Sequence, residues 1–323
     1  MSASTPAPTH EVITVLGPIA PENLGVTQTH EHLILDAYDH YGDYGFVIDD
    51  EELVVEELQE YSRRGGKSVV DVTLDEIGRN PAALSRIAKA SGLNIVMGCG
   101  WYREFAYPAI VAEKNSNELA EILVREIEIG VGADESGNNG IRAGLIGEIG
   151  TGRHFIKPAE ERVFRAAALA QQKTGVAIST HTTRWGTLAL EQIAMLREFG
   201  ADMEKVIIGH LGDRIGVKHL LPVAEQGVYL EVDNIGYTDY QPEWVRADNV
   251  AALCKEGFSD KVLLSEDICL LSHLKYQGGK GYGYLLETFV PMLRERGVSE
   301  EQIHQMLVKN PARVLARPVR ETP

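Results

Sequence analysis

The chain has 323 residues, 44% of them hydrophobic, and a formal net charge of −16. That much apolar material can bury a large core, and the length suits either two domains or one α/β barrel. The acidic balance argues against nucleic acid, whose phosphates reward a basic surface through counterion release, and equally against an anionic membrane surface.

In chain order, residues 1–10 lack a basic start followed by an apolar run, so no signal peptide is read. Residues 11–19 are expected to form a small hairpin or arm. Eight short, mostly apolar runs then read as strands: 26–33, 68–73, 94–99, 143–149, 176–182, 206–210, 228–232 and 262–267. Helical patterns lie between them. In 49–61, Val54, Leu58 and Tyr61 fall on one stripe, and Gly65-Gly66 ends the helix. Pro158 opens a helix that Gly175 closes. Ser299 with Gln302 has capping-box spacing, and Pro311 is expected to interrupt or end the helix that follows. A β-then-α alternation repeated eight times points to parallel strands with right-handed crossovers, and so to a single α/β domain, a (β/α)8 TIM barrel over about residues 24–315. A doubly wound open sheet is the rival. No Pro/Gly/Ser-rich linker divides the chain. The longest irregular insertions, 36–48, 100–107 and 270–284, follow strands and would be βα loops, at the face where barrel enzymes keep their active sites.

Three cysteines, Cys99, Cys254 and Cys269, show no C-x-x-C pairing, which suits a reducing compartment. No run of about 18 apolar residues predicts a membrane span. These absences lead to an expected cytoplasmic location.

The chemistry-bearing residues sit at strand ends. His30 and His32 are two apart, so on a strand both imidazoles face one side and can bind one cation. Glu148, His181, His210 and Asp267 each close a later apolar run. Singly, each has a bland alternative, a structural histidine or a salt-bridged or capping acid. Together they are harder to explain away, because four of the ten histidines end apolar strands, where a solvated histidine would not be placed. Burying a polar group without a partner costs on the order of 2–7 kcal/mol. Metal coordination would satisfy all six, and six ligands on five strands predict a two-metal hydrolytic site. His10, His40, His154, His219, His273 and His304 lie in predicted loops or helices and are expected to be surface or capping groups, with His40 and His273 in loops that approach substrate. No G-x-S-x-G elbow supports a serine nucleophile. Gly278-Gly279-Lys280-Gly281 lacks phosphate-loop spacing and reads as a flexible βα loop.

The ordered motifs resemble the phosphotriesterase-like family of the amidohydrolase superfamily. They are Gly25-Val26-Thr27-Gln28-Thr29-His30-Glu31-His32, Val70-Asp71-Val72-Thr73 with Gly78-Arg79, Gly147-Glu148-Ile149-Gly150, Thr180-His181-Thr182, Ile208-Gly209-His210 and Ser265-Glu266-Asp267. Two late segments, Gly281-Tyr282-Gly283-Tyr284 and Asn310-Pro311-Ala312-Arg313-Val314-Leu315, also fit. The resemblance implies a (β/α)8 barrel, a binuclear site of two divalent ions (zinc, with manganese, cobalt or iron as alternatives) and a homodimer. His30, His32 and Asp267 would hold the buried ion, and His181 and His210 the exposed one. The bridging carboxylate, in many members a carboxylated lysine, falls on Glu148, which places the chain in the glutamate-bridged branch. A hydroxide bridging the ions would attack a small-molecule substrate, with Asp267 as catalytic base. A lactone or carboxylic ester is the first expectation. An organophosphate triester, an N-acyl amide and a metal-containing binding protein without turnover are the alternatives. Asp213 and Asp233 are expected to relay protons or shape the pocket. Trp101, Tyr102, Arg103, Arg184 and Asp233 are the candidate substrate contacts, Arg184 for an anionic group. Asn234 matches neither the arginine often seen there in lactonase-type members nor the histidine of the archetypal triesterases.

Overall fold

The computed structural model describes residues 9–320 apart from 135, 136, 138 and 139, so most of the stretch read for a leader lies outside it. Eight parallel strands form a nearly closed barrel: β1 (Thr27–Glu31), β2 (Ser68–Asp71), β3 (Asn94–Cys99), β4 (Leu145–Gly150), β5 (Ala177–His181), β6 (Val206–Ile208), β7 (Tyr229–Val232) and β8 (Val262–Leu264). Their spatial order follows chain order without reversal. A doubly wound sheet would reverse at a switch point, so the barrel stands and the rival falls. All eight expected strands are present. Several end earlier than expected, because the chain leaves the ladder where it enters the site.

The helices follow from their signals. Asp50 caps α1 (Glu51–Arg63), which buries Val54, Leu58 and Tyr61 against the barrel. α2 (Pro81–Ser91) and α3 (Ser116–Glu128) are capped by Asn80 and Asn115. Pro158 opens α4 (Pro158–Thr174), and Gly175, at φ 74°, closes it. α5 (Ala189–Glu198), α6 (Leu221–Ala224) and α7 (Glu243–Lys255) cover the later strands. The helical run after Ser299 does not stop at Pro311. A widened π turn, Gln305–Lys309, comes just before the proline, and the helix resumes over Asn310–Leu315. Pro291 follows a second such turn, Leu285–Phe289. Proline removes one N–H and crowds the preceding turn, and the wider turn accommodates it.

The expected N-terminal hairpin pairs His10–Thr14 with Gly17–Ile19, and Arg317–Pro318 adds to its other edge, tying the two ends of the described chain together. Among the described residues, no helix is long and apolar enough to cross a membrane.

Side-chain alternation divides the strands into two faces. Val70, Val96, Leu145, Ala177, Ile207, Tyr229 and Leu263 fill the barrel interior, while Val69, Ile95, Ile146, Ile178, Ile208, Leu230 and Leu264 pack with the outer core. Continuing the interior face toward the strand ends gives Ser179 and His181 on β5, Glu231 and Asp233 on β7, and Ser265 and Asp267 after β8. The alternation that fills the barrel thus lifts polar groups to its mouth.

The seam between β8 and β1 closes mostly through side chains. The Glu31 carboxylate accepts from Ser265 Oγ at 2.7 Å, Glu266 N at 2.7 Å and Ile268 N at 2.9 Å. Ser265 Oγ accepts from His30 N at 2.9 Å, and Asp267 N donates to the His30 carbonyl at 3.1 Å. Glu31 is fully buried. Removing its carboxylate would leave the buried Glu266 and Ile268 N–H groups unpaired, at about 1–3 kcal/mol for each, while Ser265 Oγ keeps the His30 carbonyl as an acceptor at 2.9 Å. Glu31→Ala is therefore expected to lower the unfolding free energy in urea by about 3–5 kcal/mol. Arg63→Ala, in an exposed pair, should change it by about 0.5 kcal/mol or less. Equal effects of the two substitutions would remove Glu31 from this role.

Candidate metal centre

The six predicted ligands converge at the C-terminal mouth of the barrel. Among the described residues three groups could hold an ion: His30, His32 and Glu148; Glu148, His181 and His210; and His30, His210 and Asp233; the first two share Glu148. Around the first, Glu148 Oε2 lies 3.3 Å from His30 Nε2 and Oε1 lies 3.5 Å from His32 Nε2. Asp267 Oδ1 approaches the same two nitrogens at 3.8 and 3.3 Å. Around the second, Glu148 Oε2 lies 2.8 Å from His181 Nδ1 and 3.3 Å from His210 Nε2.

Two ligands depart from the regular alternation, and local backbone explains how. On β6, Ile207 and Gly209 face inward, so His210 should face out. It is turned back by a left-handed backbone, φ 58°. A Cβ on Gly209 would crowd the Thr180 carbonyl and Asp233 Oδ2, which approach its Cα. On β4 the ladder with β5 shifts register between Ile146 and Ile149, which re-aims Glu148 inward. Gly147 beside it has φ 129°, and a Cβ there would collide with the Ser179 carbonyl. Asp267 also has positive φ, 51°.

Three of the four imidazoles are held from behind. His30 Nδ1 donates to Glu231 Oε2 at 3.0 Å, His210 Nδ1 donates to Asp233 Oδ1 at 3.1 Å, and His32 Nδ1 is bonded to Thr73 Oγ1 at 2.9 Å. Asp233 Oδ2 also accepts the His210 backbone N–H at 2.7 Å. With Nδ1 engaged, Nε2 of all three rings is left to face the cavity. His30 Nε2 is buried and has no hydrogen-bond partner. A buried orphan nitrogen within a cluster of imidazoles and carboxylates fits a divalent cation.

Charge in the cluster is mixed: burial would lower His30, His32 and His210, but the carboxylates around them outweigh it and raise all three, His32 to about 9, so these rings must release protons for a cation to bind. Burial alone would raise Glu148, but His30 and His181 outweigh it and hold its carboxyl well below the usual range. Burial, and then neighbouring His210, lower His181 to about 4, so it is the neutral imidazole that a cation requires.

A cavity of about 230 Å³ opens over the cluster. Leu35, Ala37, Tyr41, Phe46 and Ile77 give it an apolar wall from the loops after β1 and β2, while Arg184, Asn234, Tyr240 and Cys269 come from loops across the barrel. Of the expected substrate contacts, Tyr102 lines the cavity, edge-on to His181 at 4.9 Å between ring centres, and Arg184 lines it as well. Trp101 is buried in the outer core. Arg103 lies over Phe105, 5.2 Å from the ring centre, beside the cavity rather than on its lining. Asp233 stands behind His210. Asn234 donates to Asp213 at 3.0 Å, and the buried Arg246 fixes Asp213 at 2.7 Å. His40 is bonded to the Glu76 carbonyl at 2.8 Å, and His273 packs on Tyr237; neither lines the cavity.

Sequence reasoning did not single out Glu231, and it placed Thr73 and Tyr282 in motifs without a role; the Tyr282 hydroxyl donates to the His32 carbonyl at 2.7 Å. Glu231 had a signal, an acid two residues before Asp233 within an otherwise apolar buried strand.

Fold and site together define a metal-dependent hydrolase built on a (β/α)8 barrel. The chain belongs to the phosphotriesterase family, which its residues 10–315 match. It is similar to the phosphotriesterase homology protein of Escherichia coli, whose crystal structure is complexed with phosphate in the active site, at 37% identity, TM-score 0.86, and coverage of 91% of this chain and 99% of that one. A lactonase from Listeria monocytogenes superposes with TM-score 0.87 at 30% identity, covering 94% and 98%. The N-acetyltaurine hydrolase of Danio rerio is 31% identical over 94% of this chain and 97% of its own.

Groups that orient a ligating histidine typically matter about 10–100-fold in metal affinity. Glu231→Gln should therefore weaken metal retention against a competing chelator by about 10–100-fold while the circular dichroism spectrum is unchanged. Unchanged retention would mean that Glu231 does not orient His30.

Proposed function

We propose that this chain hydrolyses the carbonyl of a small lactone or carboxylic ester at a site of two divalent ions, zinc in the first place. The observation that carries this reading is the pair of ligand groups sharing Glu148. His30, His32 and Asp267 would hold the inner ion, His181 and His210 the outer, and Glu148 both. Bound ions of this kind supply Lewis-acid polarisation of the carbonyl and acidify the attacking water.

The chain's own groups do the rest. Asp267, whose Oδ1 faces His30 and His32 and whose Oδ2 faces His210 at the cavity lining, takes the proton released as water adds and returns it to the leaving oxygen. Glu231, Asp233 and Thr73 keep the imidazoles from rotating. Leu35, Phe46, Ile77 and Tyr102 exclude bulk water from one side of the carbonyl and accept the apolar part of the substrate. The Listeria lactonase supports the ester reading. A second reading, amide hydrolysis, is favoured by the N-acetyltaurine hydrolase of Danio rerio.

Chelation should abolish turnover, and zinc, manganese or cobalt should restore it. A panel of lactones, aryl esters, phosphotriesters and N-acyl amino acids then ranks the substrates. No turnover of any of them by fully loaded protein would sink the hydrolytic reading. Asp267→Asn is expected to lower kcat by about 100-fold or more with metal content measured in parallel. Full activity in that variant would assign the proton transfer to another group.

A further inference from the structure

Asp267 carries its carboxylate on a left-handed backbone, φ 51°. In that region Cβ crowds the following carbonyl oxygen, so a residue with a side chain persists there only where its surroundings fix the flanking peptides. The peptide before Asp267 is held from β1, where Asp267 N donates to the His30 carbonyl at 3.1 Å. The peptide after it is held at both ends. Ile268 N donates to Glu31 Oε2 at 2.9 Å, and the Asp267 carbonyl accepts from the Tyr237 hydroxyl. Two of these bonds belong to the seam with β1. The third comes from the opposite neighbour, the loop after β7.

Tyr237 is itself tied down on every side. Its carbonyl accepts from Arg246 Nη2 at 2.9 Å, and Gly236 N just before it donates to Glu243 Oε2 at 2.8 Å. Glu243 and Arg246 are three residues apart on α7 and pair with each other at 3.3 Å, and Arg246 is also bonded to Asp213 at 2.7 Å. Arg246 is fully buried, so an anchor of this kind is costly to break. The Tyr237 ring packs edge-on against His273, centres 4.2 Å apart, and against Tyr240 at 4.9 Å. The other neighbour of its hydroxyl is Cys269 Sγ at 3.2 Å, a weaker acceptor than a carbonyl, so the hydroxyl proton goes to Asp267. Asp267 and Cys269 line the cavity and Tyr237 does not. The hydroxyl therefore meets the backbone of Asp267 and not the substrate.

Backbone angles decide where a side chain leaves the chain. With the 267–268 peptide held, Asp267 Oδ1 stands 3.8 Å from His30 Nε2 and 3.3 Å from His32 Nε2, and Oδ2 stands 3.9 Å from His210 Nδ1. A turn of that peptide would let Asp267 fall back to ordinary φ and carry both oxygens away from the imidazoles. We infer that Tyr237 is the positioning residue for Asp267, acting through the Asp267 carbonyl rather than the carboxylate. This rests on the reading of Asp267 as the base of a hydrolase.

The test compares Tyr237→Phe with Tyr61→Phe. Both variants keep the ring and lose a buried hydroxyl that donates to a backbone carbonyl. For Tyr61 that carbonyl is Val26, at 3.0 Å and at the start of β1, away from the cavity. Urea midpoints should fall to a similar extent in the two. At full metal loading, Tyr237→Phe should lower kcat by about 10–100-fold and leave KM within about threefold, while Tyr61→Phe leaves both within about threefold. Two readouts need no turnover. In the metal-free protein, the Ile268 amide should exchange with deuterium about 10-fold faster in Tyr237→Phe than in Tyr61→Phe, because one end of its peptide is released. In cobalt-loaded protein, the visible absorption bands should shift in Tyr237→Phe and match wild type in Tyr61→Phe. If Tyr237→Phe keeps wild-type kcat, or Ile268 exchanges no faster than in Tyr61→Phe, or the cobalt bands are unchanged, Tyr237 does not position Asp267, and the hydrolytic reading stands. If wild type turns over no member of the substrate panel while exchange and cobalt bands still depend on Tyr237, the hydrolytic reading fails and the positioning of Asp267 remains.

Discussion

The Glu31 carboxylate is the constraint on which the rest depends. A barrel must join its last strand to its first, and here regular ladder pairing does not complete the join. Glu31 replaces it with three hydrogen bonds to the segment after β8. An ionisable group with no exposure is costly unless its lone pairs are used, and these are. The same seam fixes the separation of His30 and His32, which flank Glu31, from Asp267, which follows Glu266. Any slippage there would move two ligands against a third. Tyr282 and Gln28 lie in the same layer. Tyr282 holds the His32 carbonyl, and Gln28 donates to Glu266 at 2.7 Å. The Gly281-Tyr282 motif therefore serves the site through support rather than contact.

Above the seam, the site is built with two kinds of positioning. His181 follows from regular alternation, as does Asp233, and the interior face that packs Ala177 and Tyr229 in the barrel supplies them at no conformational cost. Glu148 and His210 stand on the wrong parity and need a register shift and a left-handed residue, each made possible by a neighbouring glycine that lets another strand's backbone come close. Glycine at 147 and at 209 is thus a steric requirement of the ligand that follows it.

This distinction explains what was legible in the sequence. The eight strands, the closing glycines and prolines and the strand-end ligands carry one-dimensional signals: period, punctuation and position. The supports do not. Thr73 and Glu231 are ordinary residues whose role exists only once the barrel brings the end of β2 to His32 and β7 to His30. Glu231 could have been found by counting back two from Asp233, because a charge on the interior face of a buried strand requires a partner. Trp101 and Tyr102 show the opposite limit. Adjacent residues on an extended chain point to opposite sides, so one joins the core and the other the cavity, and sequence alone gave no phase at the end of β3. Pro311 marks a disturbance in the sequence, but that the helix widens into a π turn and resumes, with Asn310 bonded to the Ser259 and Val262 carbonyls, shows only in the structure.

On the proposed ligand set, closure and site assembly become one event. The ligands come from β1, β4, β5, β6 and the segment after β8, so the two cations together would cross-link five of the eight strands, the inner one spanning the seam. Binding free energy of that kind is also folding free energy, because no unfolded chain brings those groups together. The polar layer at the barrel mouth then has two anchors of opposite character. Glu31 gathers donors from the backbone of the last strand, and the cations gather lone pairs from the imidazoles and carboxylates just above. Because Glu148 is an encoded side chain rather than a modified lysine, both anchors follow from chain and metal alone, and nothing else has to be supplied before the barrel can close around its site.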